Sequence, residues 1–86
     1  MTDFIQVITT IDSLERAETL ANTLVERRLA GCCQIFGPIK SIYRWQEKIE
    51  TAQEWQVIIK SSRAQWPMLE RAIQELHTYK LSLIHI

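Results

Sequence analysis

The 86-residue sequence contains few residues that cross-link or interrupt a fold: two cysteines, two glycines and two prolines. Cys32 and Cys33 are adjacent. Because neighbouring residues of a strand point to opposite faces, a disulfide between them would require a strained ring. A stabilising disulfide framework is therefore excluded. We expect both thiols to be reduced, as in a cytoplasmic protein.

The sequence also lacks an excess of either charge and any long apolar run. Its 10 Lys and Arg residues balance 10 Asp and Glu residues. The basic residues are scattered among acidic ones, which argues against a nucleic-acid-binding surface. No stretch approaches the roughly 20 apolar residues of a membrane span, and no basic segment followed by an apolar run opens the sequence. We expect a cytoplasmic protein with neither a nucleic-acid nor a membrane partner.

The composition, 47% hydrophobic and 23% charged, is typical of one small soluble domain, which we place at residues 1–86. A chain of this length buries only about 60% of the surface that its unfolded form exposes. Its free energy of unfolding is therefore small unless a partner adds buried surface. Association with further subunits is the expected supplement.

The first third of the chain predicts a strand followed by a helix. Residues 4–10 are apolar and β-branched, as in a buried strand. Asp12 and Glu15 have the spacing of a capping box, which predicts the start of a helix. Gly31 stands where the left-handed residue after a helix is expected. The inner face of the helix is predicted from apolar residues at helical spacing: Leu14, Ala17, Leu20, Ala21, Leu24 and Val25.

The middle of the chain predicts two long antiparallel strands, residues 32–45 and residues 48–61. Gly37-Pro38 should bend the first of them, since Pro cannot donate to a ladder and Gly often marks a bulge. Gln46-Glu47 lacks the Asn-Gly or Asp-Gly sequence of a tight turn, so we expect a looser loop. One face beyond the bend is predicted to carry Ile39, Ser41, Tyr43 and Trp45.

The last third predicts a second helix, capped by residues 62–65, and a final strand, residues 80–86. The inner face of this helix is predicted to consist of Trp66, Leu69, Ala72, Ile73 and Leu76. The resulting order β-α-β-β-α-β is that of a ferredoxin-like α+β sandwich, an antiparallel sheet with two helices on one face.

The predicted β2–β3 hairpin is longer than two helices can cover, because its strands have about 12–14 residues against the usual 5–6. Its distal arm would then expose apolar side chains, among them Ile42, Trp45 and Ile49, and unpaired ladder groups. Proteins normally hide such edges by pairing them with a neighbour. The sequence therefore predicts that the sheet extends between subunits.

Few residues indicate chemistry by themselves. The candidate metal ligands are Cys32, Cys33, His77 and His85, but no C-x-x-C or H-x-x-x-H spacing joins them. Both cysteines fit small buried hydrophobic residues of a strand, and alternatively one thiol holds a soft ion such as Cu(I). A Cys33–His77 hydrolase, an acylphosphatase and an RNA-recognition module all lack their expected surroundings in this sequence.

A polar and aromatic group on the hairpin and near the second helix allows two interpretations. One is an amphipathic hairpin with its aromatic residues in a subunit interface and its charges in solvent. The other is a polar pocket between subunits, in which Lys60 and His77 would be the groups whose protonation is tuned. The group comprises Ser41, Tyr43, Arg44, Trp45, Glu54, Lys60, His77 and Tyr79.

The sequence resembles the CutA family of divalent-cation tolerance proteins over roughly residues 4–79. Four segments carry the resemblance: Leu29-Ala30-Gly31-Cys32, Ser41-Ile42-Tyr43-Arg44-Trp45, Glu54 through Ile59-Lys60-Ser61, and His77-Thr78-Tyr79. The resemblance implies a ferredoxin-like subunit in a tight homotrimer formed through the long hairpins. It also implies tolerance of copper and other divalent metals, and no enzymatic activity.

The resemblance further implies a site between subunits. Cys32 and His77 correspond to candidate metal ligands, and Tyr43, Trp45, Lys60 and Tyr79 to residues around the cleft that would bind a cofactor or ligand. Copper or another divalent ion is the implied cofactor. A PII-like signalling trimer that binds a small molecule without a direct metal role is the alternative.

The sequence departs from the family pattern in three places. Thr9 stands where some members have a cysteine, which removes a possible soft ligand. After His77 the family usually has His-Pro-Tyr-Glu-x-Pro-Glu, and this chain has His-Thr-Tyr-Lys instead, so the carboxylates of the cleft are missing. Members also continue beyond the position of Ile86, and we expect an altered, shortened end here.

Overall fold

The computed structural model describes residues 3–76, which form three strands and two helices. The strands are β1 (Phe4–Ile11), β2 (Cys32–Trp45) and β3 (Lys48–Ser62), and the helices are α1 (Leu14–Glu26) and α2 (Trp66–Leu76). All strand pairs are antiparallel, and β3 lies between β1 and β2. This is the β-α-β-β-α part of the predicted ferredoxin-like order. The predicted final strand, residues 80–86, lies outside the described residues.

Both helices cover one face of the sheet, and the hydrophobic core lies between the helices and the sheet. Alternate strand residues point into it because successive side chains of a strand face opposite sides. Leu14 and Val25, predicted on the inner face of α1, lie at its margin instead and are 44% and 42% exposed. The buried core includes Val7, Ile11, Leu20, Leu24, Val57, Ile59, Leu69 and Ile73, with Trp66 and Leu76 packed against it.

Helix α1 begins one residue later than the capping box predicted. Ser13 is the N-cap, and its hydroxyl accepts a hydrogen bond from the Arg16 backbone N–H at 3.1 Å. Asp12 forms an ion pair with the Arg16 side chain at 3.5 Å instead. Either residue type can cap a helix, so the sequence did not distinguish between the two.

The end of α1 was also predicted wrongly, since Arg28 and not Gly31 adopts the left-handed conformation, with φ 60°. The Arg28 N–H donates to the Val25 carbonyl at 3.0 Å, and the Leu29 N–H donates to the Leu24 carbonyl at 3.0 Å. These two bonds form a Schellman motif, which satisfies carbonyl groups that the helix leaves free. Leu29 thereby enters the core beside Leu24.

The predicted bend in β2 is a β-bulge between Phe36 and Ile39. The extra residue changes which face each following side chain occupies. Cys33 and Ile35, before the bulge, pack against the core, whereas Ile39 after it is paired with Glu54. Gly37 is required here, because a Cβ atom at this position would lie 2.5 Å from Cδ1 of Trp55.

The connection between β2 and β3 is tighter than predicted. Trp45 pairs with Lys48, so Gln46 and Glu47 form a two-residue turn with φ angles of 49° and 67°. Two positive φ angles are those of a type I′ turn, which matches the twist of a hairpin. The turn forms although neither residue is the Asn or Gly that this conformation favours.

No helix within residues 3–76 is long and apolar enough to cross a membrane.

Candidate functional site

Cys32 and Lys60 lie together at one end of the sheet. They are direct cross-strand neighbours, and Gln6 is the partner of Lys60 on its other side. All three side chains are exposed on the sheet face opposite the helices. They line an open groove of about 820 Å³ that also includes Phe4 and Arg28.

Two hydrogen bonds hold the segment between α1 and β2 against β3 and so position this groove. The Gly31 backbone N–H donates to the Lys60 carbonyl at 2.9 Å. The buried Ser61 hydroxyl donates to the Leu29 carbonyl at 2.6 Å. Because both bonds join residues far apart in the sequence, they fix Cys32 relative to Lys60.

Cys33 points to the opposite face and does not share the groove with Cys32. Burial raises the pKa of the Cys33 thiol from its ordinary value of 9.0 to about 11, and the adjacent Cys32 adds to the effect. A thiol of this kind is protonated at neutral pH, and only a thiolate acts as a nucleophile or metal ligand. The geometry therefore argues against Cys33 in either role.

The residues around Cys32 do not by themselves fit a metal ion. Within residues 3–76, no three His, Cys, Asp or Glu side chains are grouped so as to hold one. The charged neighbours of Cys32 in the groove, Lys60 and Arg28, are cationic and repel a metal cation. His77, the second predicted metal ligand, and Tyr79 lie outside the described residues.

Tyr43 and Trp45 lie at the other end of the molecule, near the hairpin turn. Trp45 is paired with Lys48, and Lys60 is twelve residues further along the same strand. At about 3.3 Å per residue, this separation is roughly 40 Å. The longest dimension of the molecule is 43 Å. One chain therefore does not bring Tyr43 or Trp45 to Cys32.

The other members of the predicted polar and aromatic group follow the hairpin. Ser41 and Tyr43 are half-buried on one face, as predicted, and Arg44 is exposed on the other. Glu54 lies on the same face as Ser41 and Tyr43. Glu54 is 5% exposed, although it is an acidic residue on a long hairpin. The members of the group that lie within residues 3–76 form a row along β2 and β3 and do not line one pocket.

Sequence reasoning missed Arg28 and Phe4 as residues of the groove. Arg28 was overlooked because α1 was predicted to end at Gly31, which placed Arg28 on the helix surface. A Schellman motif ending at a non-glycine residue leaves little signal in a single sequence. Phe4 was assigned to a buried strand, and in the structure its side chain is 74% exposed.

Comparison with known proteins adds a family assignment to this geometry. The family model described as CutA1 divalent ion tolerance protein matches residues 5–86. The chain is 40% identical over 73 residues to the divalent-cation tolerance protein CutA of Thermus thermophilus, covering 85% of this chain and 71% of that protein. It is 39% identical over 79 residues to the CutA protein of Archaeoglobus fulgidus, covering 92% of this chain and 74% of that protein.

A solved structure shows the same fold. The crystal structure of CutA from Xylella fastidiosa superimposes with a TM-score of 0.93 at 34% sequence identity. The superposition covers 98% of this chain and 81% of that one.

Proposed function

Because this chain belongs to the CutA1 divalent ion tolerance family, we propose that it contributes to tolerance of divalent metal ions, copper among them. In this proposal the protein is a cytoplasmic homotrimer that binds a metal ion or a small ligand in the clefts between its subunits. Its action depends on binding, and it is not an enzyme.

The separation of the predicted site residues is the observation that carries the proposal. Cys32 and Lys60 are roughly 40 Å from Trp45 along the sheet, at about 3.3 Å per residue. If these residues act in one site, the hairpin end of one subunit must reach the groove of another. An inter-subunit cleft satisfies this requirement, and a monomer does not.

The distal arm of the hairpin also favours assembly. Its apolar side chains are exposed, with Ile42 at 67%, Ile49 at 62% and Trp45 at 46%. Within residues 3–76, β2 pairs with β3 alone, so its other edge has free backbone groups. Long apolar edges of this kind promote pairing with another chain.

Cys32 is the one soft metal donor in the groove among the described residues. Thiolate and imidazole are the ligands that favour copper, so Cys32 and His77 are the proposed pair. Because the surrounding residues do not complete a site, the remaining donors would come from His77 or from a second subunit. The metal part of the proposal therefore depends on the trimer.

Native mass spectrometry and copper titration test these two parts in turn. We expect a trimer mass, and a monomer mass would contradict both the assembly and the inter-subunit site. In the titration, Cys32→Ser and His77→Ala should each weaken Cu(I) binding by at least about tenfold, as removal of a ligand does. The matched control Cys33→Ser, whose thiol faces the core, should leave affinity unchanged. Unchanged affinity in both ligand variants would contradict the assignment.

A PII-like trimer that binds a small molecule is the second candidate. Arg28 and Lys60 favour it, because two cations beside Cys32 oppose a metal ion. This candidate predicts that a bound small molecule raises the melting temperature equally in the wild type and in Cys32→Ser. Loss of that stabilisation in Cys32→Ser would favour the metal site instead.

The half-buried thiol of Cys33 supports the non-enzymatic part of the proposal. Its pKa of about 11 leaves it protonated at neutral pH, so it is a poor nucleophile. The relatives are likewise named tolerance proteins.

A further inference from the structure

The groove beside Cys32 has a positive charge that no acidic side chain within residues 3–76 of the same chain neutralises. Arg28 and Lys60 line it, and none of its other described lining residues is acidic. Among the described residues, the ion pairs join Arg16 to Asp12 and Arg63 to Asp3, so neither groove cation is part of one. Residues 77–86 contain no Asp or Glu. Two unpaired cations in a concave surface attract an anion.

Apolar side chains form much of the remaining wall, beside polar residues such as Gln6, Ser62 and Gln65. Phe4 is 74% exposed and Val25 is 42% exposed, and both line the groove. The volume of about 820 Å³ lies within the usual range for small-molecule sites, roughly 300–1,000 Å³. An exposed phenyl ring offers a flat surface against which a planar group can stack.

The backbone positions of Arg28 and Lys60 are ordered before any ligand binds. Arg28 occupies the left-handed position of the Schellman motif that ends α1. Lys60 lies on the central strand, paired with Gln6 on one side and Cys32 on the other. A site whose backbone is already ordered loses less conformational entropy on binding.

We propose that this groove binds a small organic anion, with its carboxylate or phosphate group on Arg28 and Lys60 and its apolar, planar part on Phe4. The inference rests on the small-ligand part of the proposed function and names the ligand class. Arg28 and Phe4 are added to the site, neither of which the motifs of the sequence identified. Arginine suits the anionic group because its guanidinium forms two parallel hydrogen bonds to carboxylate or phosphate.

Phenyl phosphate is a suitable probe because it combines an anionic group with a planar ring. NMR-monitored titration of the ¹⁵N-labelled protein should show saturable shifts at the backbone amides of Gly31, Cys32 and Lys60. Arg28→Gln and Lys60→Gln should each weaken binding by about tenfold, the loss expected for one charged hydrogen bond. Arg27→Gln is the matched control, since Arg27 is an exposed neighbour that does not line the groove, and it should bind as the wild type does.

Two further ligands separate the contributions of charge and ring. Phe4→Ala should weaken binding of phenyl phosphate but not of inorganic phosphate. Benzyl alcohol, which has the ring without the charge, should bind at least about tenfold more weakly than phenyl phosphate in the wild type. Equal binding of the two compounds would overturn the proposal, as would unchanged binding of phenyl phosphate in both charge variants or no saturable shift at millimolar concentration.

Copper titration of the same charge variants distinguishes this proposal from the metal part of the proposed function. Arg28→Gln should bind Cu(I) at least as tightly as the wild type, because it removes a repelling cation. If phenyl phosphate binding fails while Cys32→Ser still weakens copper binding, the anion site is wrong and the metal site stands. If phenyl phosphate binds as expected while Cys32→Ser leaves copper binding unchanged, the anion site stands and the metal site is wrong.

Discussion

Thr9 is a polar residue in the centre of the core. Its side chain is 0% exposed, and its Oγ1 atom has no hydrogen-bond partner among the described residues. A buried hydroxyl without a partner has lost its bonds to water and gained nothing in return. The buried hydroxyl of Thr9 therefore lowers the stability of the fold, at a position between the apolar Val7 and Ile11 on the same face of the strand and opposite Val57.

Replacing Thr9 by valine should increase the free energy of unfolding by about 1 kcal/mol, because the shape is kept and the unpaired hydroxyl is removed. Urea denaturation of the two proteins at equal concentration measures the difference. Thr9→Ser is the matched control, since it keeps the hydroxyl and removes the methyl group, and it should be destabilising. A valine variant less stable than the wild type would show that the hydroxyl has a partner.

The two adjacent cysteines should differ in reactivity because they face opposite sides of the sheet. Cys32 is exposed, while Cys33 is half-buried with its pKa raised to about 11. At pH 8 iodoacetamide should modify Cys32 at least about tenfold faster, since the thiolate is the reactive form. Peptide mass analysis after timed quenching gives both rates. Equal rates would contradict the assigned faces.

The pH dependence of Cys33 has a definite sign. Its pKa is higher in the folded than in the unfolded chain, so its contribution to stability is complete below the ordinary value of 9.0 and is lost as pH rises towards about 11. In the Cys33→Ala variant this alkaline loss should disappear. Denaturation of both proteins between these pH values gives the comparison, and parallel curves would contradict it.

At the level of elements, the bulge in β2 depends on the absence of a side chain at Gly37. Gly37→Ala would place a Cβ atom 2.5 Å from the Trp55 ring and should destabilise the fold by about 1–3 kcal/mol, as overpacking does. Gly31→Ala is the matched control, because the nearest atom to its Cβ is 3.9 Å away, and it should change stability little. Thermal denaturation measures both, and equal melting temperatures for the two variants would contradict this account.

The elements could be predicted from the sequence where the buried face gives the apolar residues a regular helical or strand spacing. The inner face of α2 and the long strands β2 and β3 are as predicted, because Leu69, Ala72 and Ile73 recur at helical spacing and Trp55, Val57 and Ile59 at strand spacing. The bend at Gly37-Pro38 is likewise confirmed as a bulge. These signals come from the core and from a residue pair with special backbone properties.

The ends of the elements could not be predicted. Several neighbouring residues can cap or end an element equally well, and hydrogen bonds of the folded chain determine which one does. Ser13 caps α1 in place of Asp12, and Arg28 adopts the left-handed conformation in place of Gly31. Gln46-Glu47 forms a tight turn without the favoured sequence, because the paired strands on both sides impose it. At Arg28, Gln46 and Glu47 the hydrogen bonds of the folded chain outweigh the cost of a left-handed backbone, about 1–2 kcal/mol per residue.

For the whole molecule, the candidate site could be predicted only in its parts. Cys32 and Lys60 are neighbours, but Tyr43 and Trp45 are at the far end of a 43 Å molecule. A pattern within one sequence gives residue types and strand faces. It does not give the distance between Cys32 of one subunit and Trp45 of another. Whether these residues form one site therefore depends on the assembly.

The exposed hairpin arm should determine how the chain associates. Ile42→Lys replaces a 67% exposed apolar residue and should change the stability of a single subunit little. In the proposed trimer the same charge would be buried, so the variant should dissociate at concentrations at which the wild type remains assembled. Sedimentation velocity over a concentration series measures this. Lys40→Gln, an exposed change on the same strand, should sediment as the wild type does.

The bulge in β2 divides the strand into two parts with different structural constraints. Before the bulge, a substitution at Cys33 or Ile35 changes the stability of the single subunit, because these residues contact the core. After it, none of the residues from Ile39 to Trp45 belongs to the described core, so they can vary with a partner's surface. A lineage could therefore acquire a new oligomeric partner by mutating the arm while its core sequence drifts independently.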